Sequence, residues 1–294
     1  MTGRLQDKAS TITSGARSML AAGLFVTAAV PALAEFQVHA PLVEEGEIEI
    51  EHSGAVLFSR NNATRVREQG YTNGLAYSPT PWWRFEIETE LSRARGEALR
   101  YEATTIENVF QLAPKGRYFF DVGFFFEYEK ARARRGQDLI TLGPIVQKEL
   151  GLALLTVNAF FARAVSGPDR AGTTAFVPAA RIVYRLDTLF APGLEYYGEI
   201  ADVGDAGRLR DQEHRLGPVV MGAWRLGSEI KLKYELGYLL PLTRAARGGA
   251  LRWKLELQFQ LQGRQLASGR RKARPVKGGP RRAGRPPNES HPTP

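Results

Sequence analysis

Leu251-Arg252-Trp253-Lys254-Leu255-Glu256-Leu257-Gln258-Phe259-Gln260-Leu261 is the stretch that decides the fold. Apolar and polar side chains alternate along it without a break. A helix, at about 3.6 residues per turn, would smear these charges around its circumference. A strand sorts them onto two faces, one greasy and one charged. The stretch before it reads the same way: Ile230, Leu232, Tyr234, Leu236, Tyr238 and Leu240 alternate with Glu229, Lys231, Lys233, Glu235 and Gly237. Trp83, Phe85, Ile87 and Leu91 alternate with Arg84, Glu86, Glu88 and Glu90, and a looser version runs from Tyr118 to Glu129.

Extended along the chain, this period predicts twelve strands, within bounds of roughly ten to fourteen. They fall at 46–58, 71–77, 82–91, 100–112, 118–129, 139–148, 152–163, 174–186, 192–201, 214–224, 229–241 and 250–262. Many are longer than the ~5–6 residues of ordinary sheets and match the about nine to eleven that a tilted strand needs to cross a bilayer. No helical crossover separates them, so neighbours must be antiparallel. Long polar gaps (59–70, 130–138, 202–213) alternate with short ones (78–81, 113–117, 149–151, 187–191, 225–228). That rhythm suits an outer-membrane barrel, whose periplasmic turns are tight and whose outward loops are free to lengthen. Tyr71, Tyr77, Trp82, Trp83, Tyr118, Tyr128, Tyr184, Trp224, Tyr234, Tyr238, Trp253 and Phe259 fall where interfacial belts are expected. The fold class expected is all-β: an antiparallel up-and-down transmembrane β-barrel over 46–262.

The ends of the chain have a different character. Arg4, Lys8 and Arg17 precede an apolar run from Met19 to Val30, then Pro31 and Ala32-Leu33-Ala34. This is the layout of a signal peptide over 1–34, cleaved before Glu35. Residues 35–45 are expected to be an N-terminal periplasmic lead-in. The formal net charge is +9, but the segment from Gly263 onward holds nine bases against the single acid Glu289. The basicity therefore belongs to a Gly-, Pro- and Arg-rich tail, 263–294, expected to be disordered and open to a polyanion, without specific nucleic-acid recognition. The chain has no cysteine, which excludes disulfides, thiolate chemistry and iron–sulfur ligation.

Several runs resemble a family of uncharacterised Gram-negative outer-membrane β-barrels, loosely akin to those of the MetA pathway of phenol degradation. They are Glu107-Asn108-Val109-Phe110-Gln111-Leu112, Gly143-Pro144 with Gln147-Lys148-Glu149, Leu155-Thr156-Val157-Asn158 and Pro192-Gly193-Leu194-Glu195. The resemblance implies a barrel in the outer membrane and a transport-related role, with no catalytic residues. The ending on Phe259 and Leu261 also resembles the signal read by the barrel-assembly machinery, although further chain follows it here.

A search for chemistry finds little. His39, His52 and His214 are scattered without metal-ligand spacing, so no metal or cofactor is expected. An outer-membrane phospholipase would need its histidine and serine on one strand face. Ser53 directly follows His52, which places them on opposite faces. No nucleophile elbow or phosphate loop occurs, and the expectation is a non-enzyme. What remains is the inward face. One wall gathers Glu47, Glu49, Glu51, Glu86, Glu88, Glu90, Asp121, Glu127 and Glu129 with Arg84. The other mixes Arg181, Arg185, Lys231, Lys233, Arg252 and Lys254 with Glu195, Glu199, Glu229, Glu235 and Glu256. Such a lumen suits a channel for small polar solutes with a field across the pore. Two other readings compete: a non-conducting structural or adhesive barrel acting through its loops or tail, and, outside membranes, a secreted β-sandwich or ligand-binding barrel. The long loops are rich in arginine, and Arg132, Arg134 and Arg135 suit the phosphates of lipopolysaccharide in the surrounding outer membrane.

Overall fold

The structure, a computed structural model, describes residues 36–59, 62–132, 136–167, 172–227 and 229–261. The expected signal peptide, the basic tail, Arg134 and Arg135 lie outside the described residues. Twelve antiparallel strands close on themselves as one barrel. In chain order they are β1 (Glu47–Ser59), β2 (Asn62–Thr80), β3 (Trp83–Ala94), β4 (Arg100–Gln111), β5 (Asp121–Ala131), β6 (Leu139–Leu150), β7 (Ala153–Ala164), β8 (Thr174–Tyr184), β9 (Ala191–Glu199), β10 (Glu213–Arg225), β11 (Ile230–Pro241) and β12 (Ala250–Gln260). Each pairs with its neighbours in sequence, and β1 meets β12 in a register running from Glu47↔Gln260 to Leu57↔Ala250.

The barrel is apolar outside and polar within. On β12 the decisive alternation resolves as read: Arg252, Glu256 and Gln258 are buried inside, while Leu255 on the outer face is 46% exposed. Ile50, Leu75, Ile87, Ile106, Leu142, Val157, Phe161, Leu194 and Leu236 are likewise exposed on the outside of their strands. Water would penalise so much bare apolar surface, whereas hydrocarbon accepts it. Aromatics gather at both margins. Near the short turns, Trp82 stacks on Phe110 with centroids 6.4 Å apart and Trp224 on Tyr234 at 4.8 Å. Toward the other rim, Tyr71 meets Trp253 at 5.9 Å and Phe161 meets Phe176 at 5.0 Å. These are the two interfacial belts a lipid-facing barrel carries.

Two elements depart from the sequence reading. β2 covers 19 residues, where only 71–77 were expected. Its upper part is too polar to look like a membrane strand, but 62–67 precede the first pairing with β3, Glu68↔Ala94, and need no apolar face. The long–short rhythm accordingly fails at the first gap, which shrinks to 60–61. It fails again at 112–120, an extended turn on the short-turn side, before holding from β5 onward. Tyr118, Phe119 and Phe120 sit exposed in that turn, outside β5. Arg67, inside the gap expected at 59–70, belongs to β2.

The register gives a direct test. Leu232 lies opposite Leu257 on the lipid face, while Lys231 points inward and donates to Gln258 Oε1 at 3.1 Å. Leu236→Arg, further along the same outer face at mid-strand, should cost about 2–4 kcal/mol, because the charge enters hydrocarbon. Lys231→Leu should cost far less. Urea unfolding of both refolded variants in lipid vesicles measures the order, and the reverse order would mean the register is off by one.

Candidate functional site

The lumen is the site, and it is not empty. The segment 36–45, expected as a lead-in outside the barrel, runs inside it. Its apolar side chains find cover there. Val38 is buried with Leu57, Ala179, Tyr197, Leu239 and Ala250, and Phe36 packs edge-on to Tyr197 at 5.2 Å. Lower down, the His39 ring lies 4.4 Å from that of Phe125, which itself stacks on Phe160 at 4.5 Å. The backbone of this strap is satisfied by the wall, as a buried backbone must be. His39 N–H donates to Asn158 Oδ1 at 2.8 Å, and Asn158 Nδ2 donates back to the His39 carbonyl at 2.9 Å. Val43 N–H reaches Gln111 Oε1 at 2.8 Å, and Arg181 Nη2 donates to the Val38 carbonyl at 3.3 Å. Pro41 is fully buried against Gly123, where any Cβ would sit 2.8 Å from the Pro41 Cβ. A glycine on the inner face of β5 is thus what lets the strap lie flat on the wall. Gly46, at φ +80°, turns the chain from the strap into β1.

Beside the strap stands a layer of ion pairs. Arg252, 2% exposed at its side chain, forks onto Glu195 and Glu235, with Nε 2.6 Å from Glu195 Oε2 and Nη1 2.8 Å from Glu235 Oε2. Arg181 Nη1 donates to Glu235 Oε1 at 2.9 Å, and the Tyr197 hydroxyl lies 3.1 Å from Glu195 Oε2. Lys254 pairs with Glu51 and donates to Gln37 Oε1 of the strap at 3.2 Å. Arg84 pairs with Glu86 and lies 3.4 Å from Glu49 Oε2. The acidic and mixed walls read from sequence are joined at the β1–β12 seam, where Lys254 pairs with Glu51, and within each wall opposite charges pair, which weakens any field between them.

The other predicted residues take defined places. Glu47 and Glu49 both accept from Gln258 Nε2, at 3.0 and 2.6 Å, and Lys233 donates to Glu256 Oε1 at 2.9 Å. Glu88 and Glu127 are buried on the acidic wall, and Asp121 caps the Gly116 N–H at 2.7 Å near the turns. Arg185 lies beyond the end of β8, 41% exposed, 3.2 Å from Glu149 at the turn rim and away from the central layer. Arg132 is at the opposite rim and donates to the Tyr101 carbonyl at 3.2 Å. There, a hydrogen bond from Lys130 at 2.7 Å holds the Asp138 carboxyl below its ordinary range, with Ser166 and Tyr128 assisting. His52 faces out and pairs with Asn73 Oδ1 at 3.0 Å, while Ser53 is buried within.

Two cavities flank this filled middle. One, of about 650 Å³, opens toward the long loops and is lined by Glu68, Glu88, Glu90, Glu107, Glu127 and Glu199 over a floor that includes Phe125 and Phe160. The other, of about 530 Å³, lies toward the short turns beside Arg181, Lys233 and Lys254.

No family model and no curated protein matches the chain. The family resemblance read from 107–112 and the other runs therefore remains a resemblance. Among solved structures, the chain is similar to the KdgM porin at 8% identity and TM-score 0.46, covering 72% of this chain and 99% of that one. It is also similar to the COG4313 outer membrane channel from Pseudomonas putida F1, at 12% identity and TM-score 0.48 over 74% and 96%. The translocator domain of the autotransporter NalP from Neisseria meningitidis matches at 11% and 0.46, over 78% and 91%. At these identities and scores the likenesses carry no argument of their own. The barrel stands on its strand pairing.

Arg252 tests how much the ion-pair layer holds. Arg252→Met leaves Glu195 buried without its main partner and Glu235 with Arg181 alone, and should destabilise the barrel by about 3–5 kcal/mol. Adding Glu195→Gln should recover part of that loss. Urea unfolding of the single and double variants measures both.

Proposed function

We propose that this chain is an outer-membrane barrel that passes small polar solutes, cations preferentially, and that the strap 36–45 restricts its conductance. The observation that carries the reading is the pair of cavities, about 650 and 530 Å³, opening toward opposite rims and separated by the strap and the ion-pair layer. The apolar exterior and its two aromatic belts support placement in a bilayer, and the expected signal peptide supports export to the outer membrane. Preference for cations follows from the acids around the larger cavity, which outnumber its arginines Arg67, Arg163 and Arg215, since an excess of one sign of charge concentrates counter-ions. A second reading, a barrel that conducts nothing and acts through its loops, is favoured by the density of packing in the middle.

Planar-bilayer recordings separate the two. The refolded mature chain should show small or rare openings, and a chain beginning at Glu44 should show larger, steadier ones. Under a potassium chloride gradient the reversal potential should take the sign of a cation-preferring pore. If the shortened barrel stays closed, the non-conducting reading is correct.

The loop rim is proposed to touch lipopolysaccharide through Arg132, Arg134 and Arg135, as guanidinium groups bind phosphate bidentately. Replacing the three by Gln should reduce lipopolysaccharide co-purifying with the folded barrel and leave its heat-modifiable gel migration unchanged. Unchanged lipopolysaccharide content would reduce these arginines to solvated loop residues.

A further inference from the structure

The acidic wall contains a convergence that neither the strap nor the ion-pair layer explains. Glu51 on β1 lies opposite Gly74 on β2, which lies opposite Glu88 on β3. These residues form one row across the inner face. Glu86, two positions from Glu88 on β3, folds its carboxylate over Gly74, where any side chain would collide with its Oε1. The glycine thereby opens a space into which three carboxylates turn. One oxygen from each of Glu51, Glu86 and Glu88 lies within 4.8 Å of the others.

Two further observations point to a ligand. Glu51 Oε1 and Glu86 Oε1 are buried and have no hydrogen-bond partner, in residues only 3% and 1% exposed. Ser53 Oγ, the next inward position on β1, is buried and unpartnered as well. A bare carboxylate oxygen out of water costs several kcal/mol, so something positive belongs beside it. The neighbouring bases fall short of that need. Lys254 and Arg84 occupy the other oxygens of Glu51 and Glu86, and Arg84 is shared with Glu49. Glu107, opposite Glu86 on β4, adds another buried acid, whose Oε2 has no hydrogen bond and lies 3.8 Å from His39 Nδ1 of the strap.

We infer that Glu51, Glu86 and Glu88 bind one hard divalent cation of the calcium class. Calcium takes oxygen ligands at about 2.3–2.6 Å, so two oxygens on one ion stand no more than about 5 Å apart. The observed convergence fits inside that limit. The residual coordination falls to water, which the larger cavity supplies: Glu88 lines it and gives the ion its way in. The ion would draw together β1 and β3, which their charges alone push apart, across Gly74 of β2. The inference stands whether or not the barrel conducts.

The test uses the refolded mature chain in detergent at neutral pH, with calcium chloride as the probe and the temperature of the heat-modifiable gel shift as the readout. Calcium should raise that temperature, and titration calorimetry should find one site per chain. Glu51→Gln with Glu86→Gln should weaken calcium binding about tenfold or more and abolish the thermal response. Without calcium, Glu88→Gln, which breaks none of the ion pairs described above, should melt no lower than the wild type because it removes repulsion, yet lose most of the calcium response; this separates a lost site from the broken Lys254 and Arg84 pairs of the double variant. Glu199→Gln, also on the larger cavity but outside the cluster, should respond to calcium like the wild type. Absence of any calcium effect on the wild type, or its persistence in the double variant, overturns the inference. The first outcome would mean that shared protons neutralise the wall.

Discussion

A backbone N–H in hydrocarbon has no water to turn to, so a sheet that enters a bilayer must leave no edge unpaired. In this chain the requirement concentrates on one seam. Eleven strand pairs join neighbours along the sequence, but β1 and β12 must meet from opposite ends of the barrel sequence, Glu47 against Gln260. Once that seam forms, the outer face is committed to lipid and the inner face is cut off from it. Everything polar on the strands must then be satisfied by other parts of the same chain or by what enters the lumen.

The inner face meets that demand in three ways. Toward β8–β12, carboxylates and guanidinium groups answer each other directly, as Arg252 does with Glu195 and Glu235. In the middle the strap supplies backbone groups that the wall's amides read, as Asn158 reads both the N–H and the carbonyl of His39. Along β1–β4 acids outnumber bases, and buried oxygens remain without partners. The three regimes follow one cause: with the outer face committed to apolar side chains, the strands' charged groups turn inward, beside the apolar ones such as Leu57, Phe125 and Leu239, and pairing them depends on which strands face each other.

Alternation along a strand is local information, and it was readable. Leu251 to Leu261 shows its two faces without any knowledge of its neighbours, and twelve strands could be placed from such runs. The rest depends on company kept across the barrel. The upper part of β2, from Asn62 to Gly70, lacks an apolar face because it stands beyond the lipid, so periodicity had nothing to detect. The strap reads as an unremarkable extended segment. Its place inside is set by Asn158 and Gly123, more than eighty residues further along the chain. The candidate cation cluster was missed because metal spacing was sought among the histidines, whereas Glu51, Glu86 and Glu88 meet only through strand register and the bareness of Gly74. The inward acids could be named from sequence, but not which of them would share a space.

The strap bears on how the molecule can be assembled. It leads through Gly46 straight into β1, the strand that closes the seam, and its Phe36 end lies in the half of the lumen nearer the long loops. A segment seated this way either is enclosed as β1 and β12 come together or is drawn into a barrel already shut, past a crowded ring of charged side chains. The first route needs no such passage. Sealing the wall and filling the bore then become a single kinetic event, so a barrel that fails to seat the strap also fails to close its last seam.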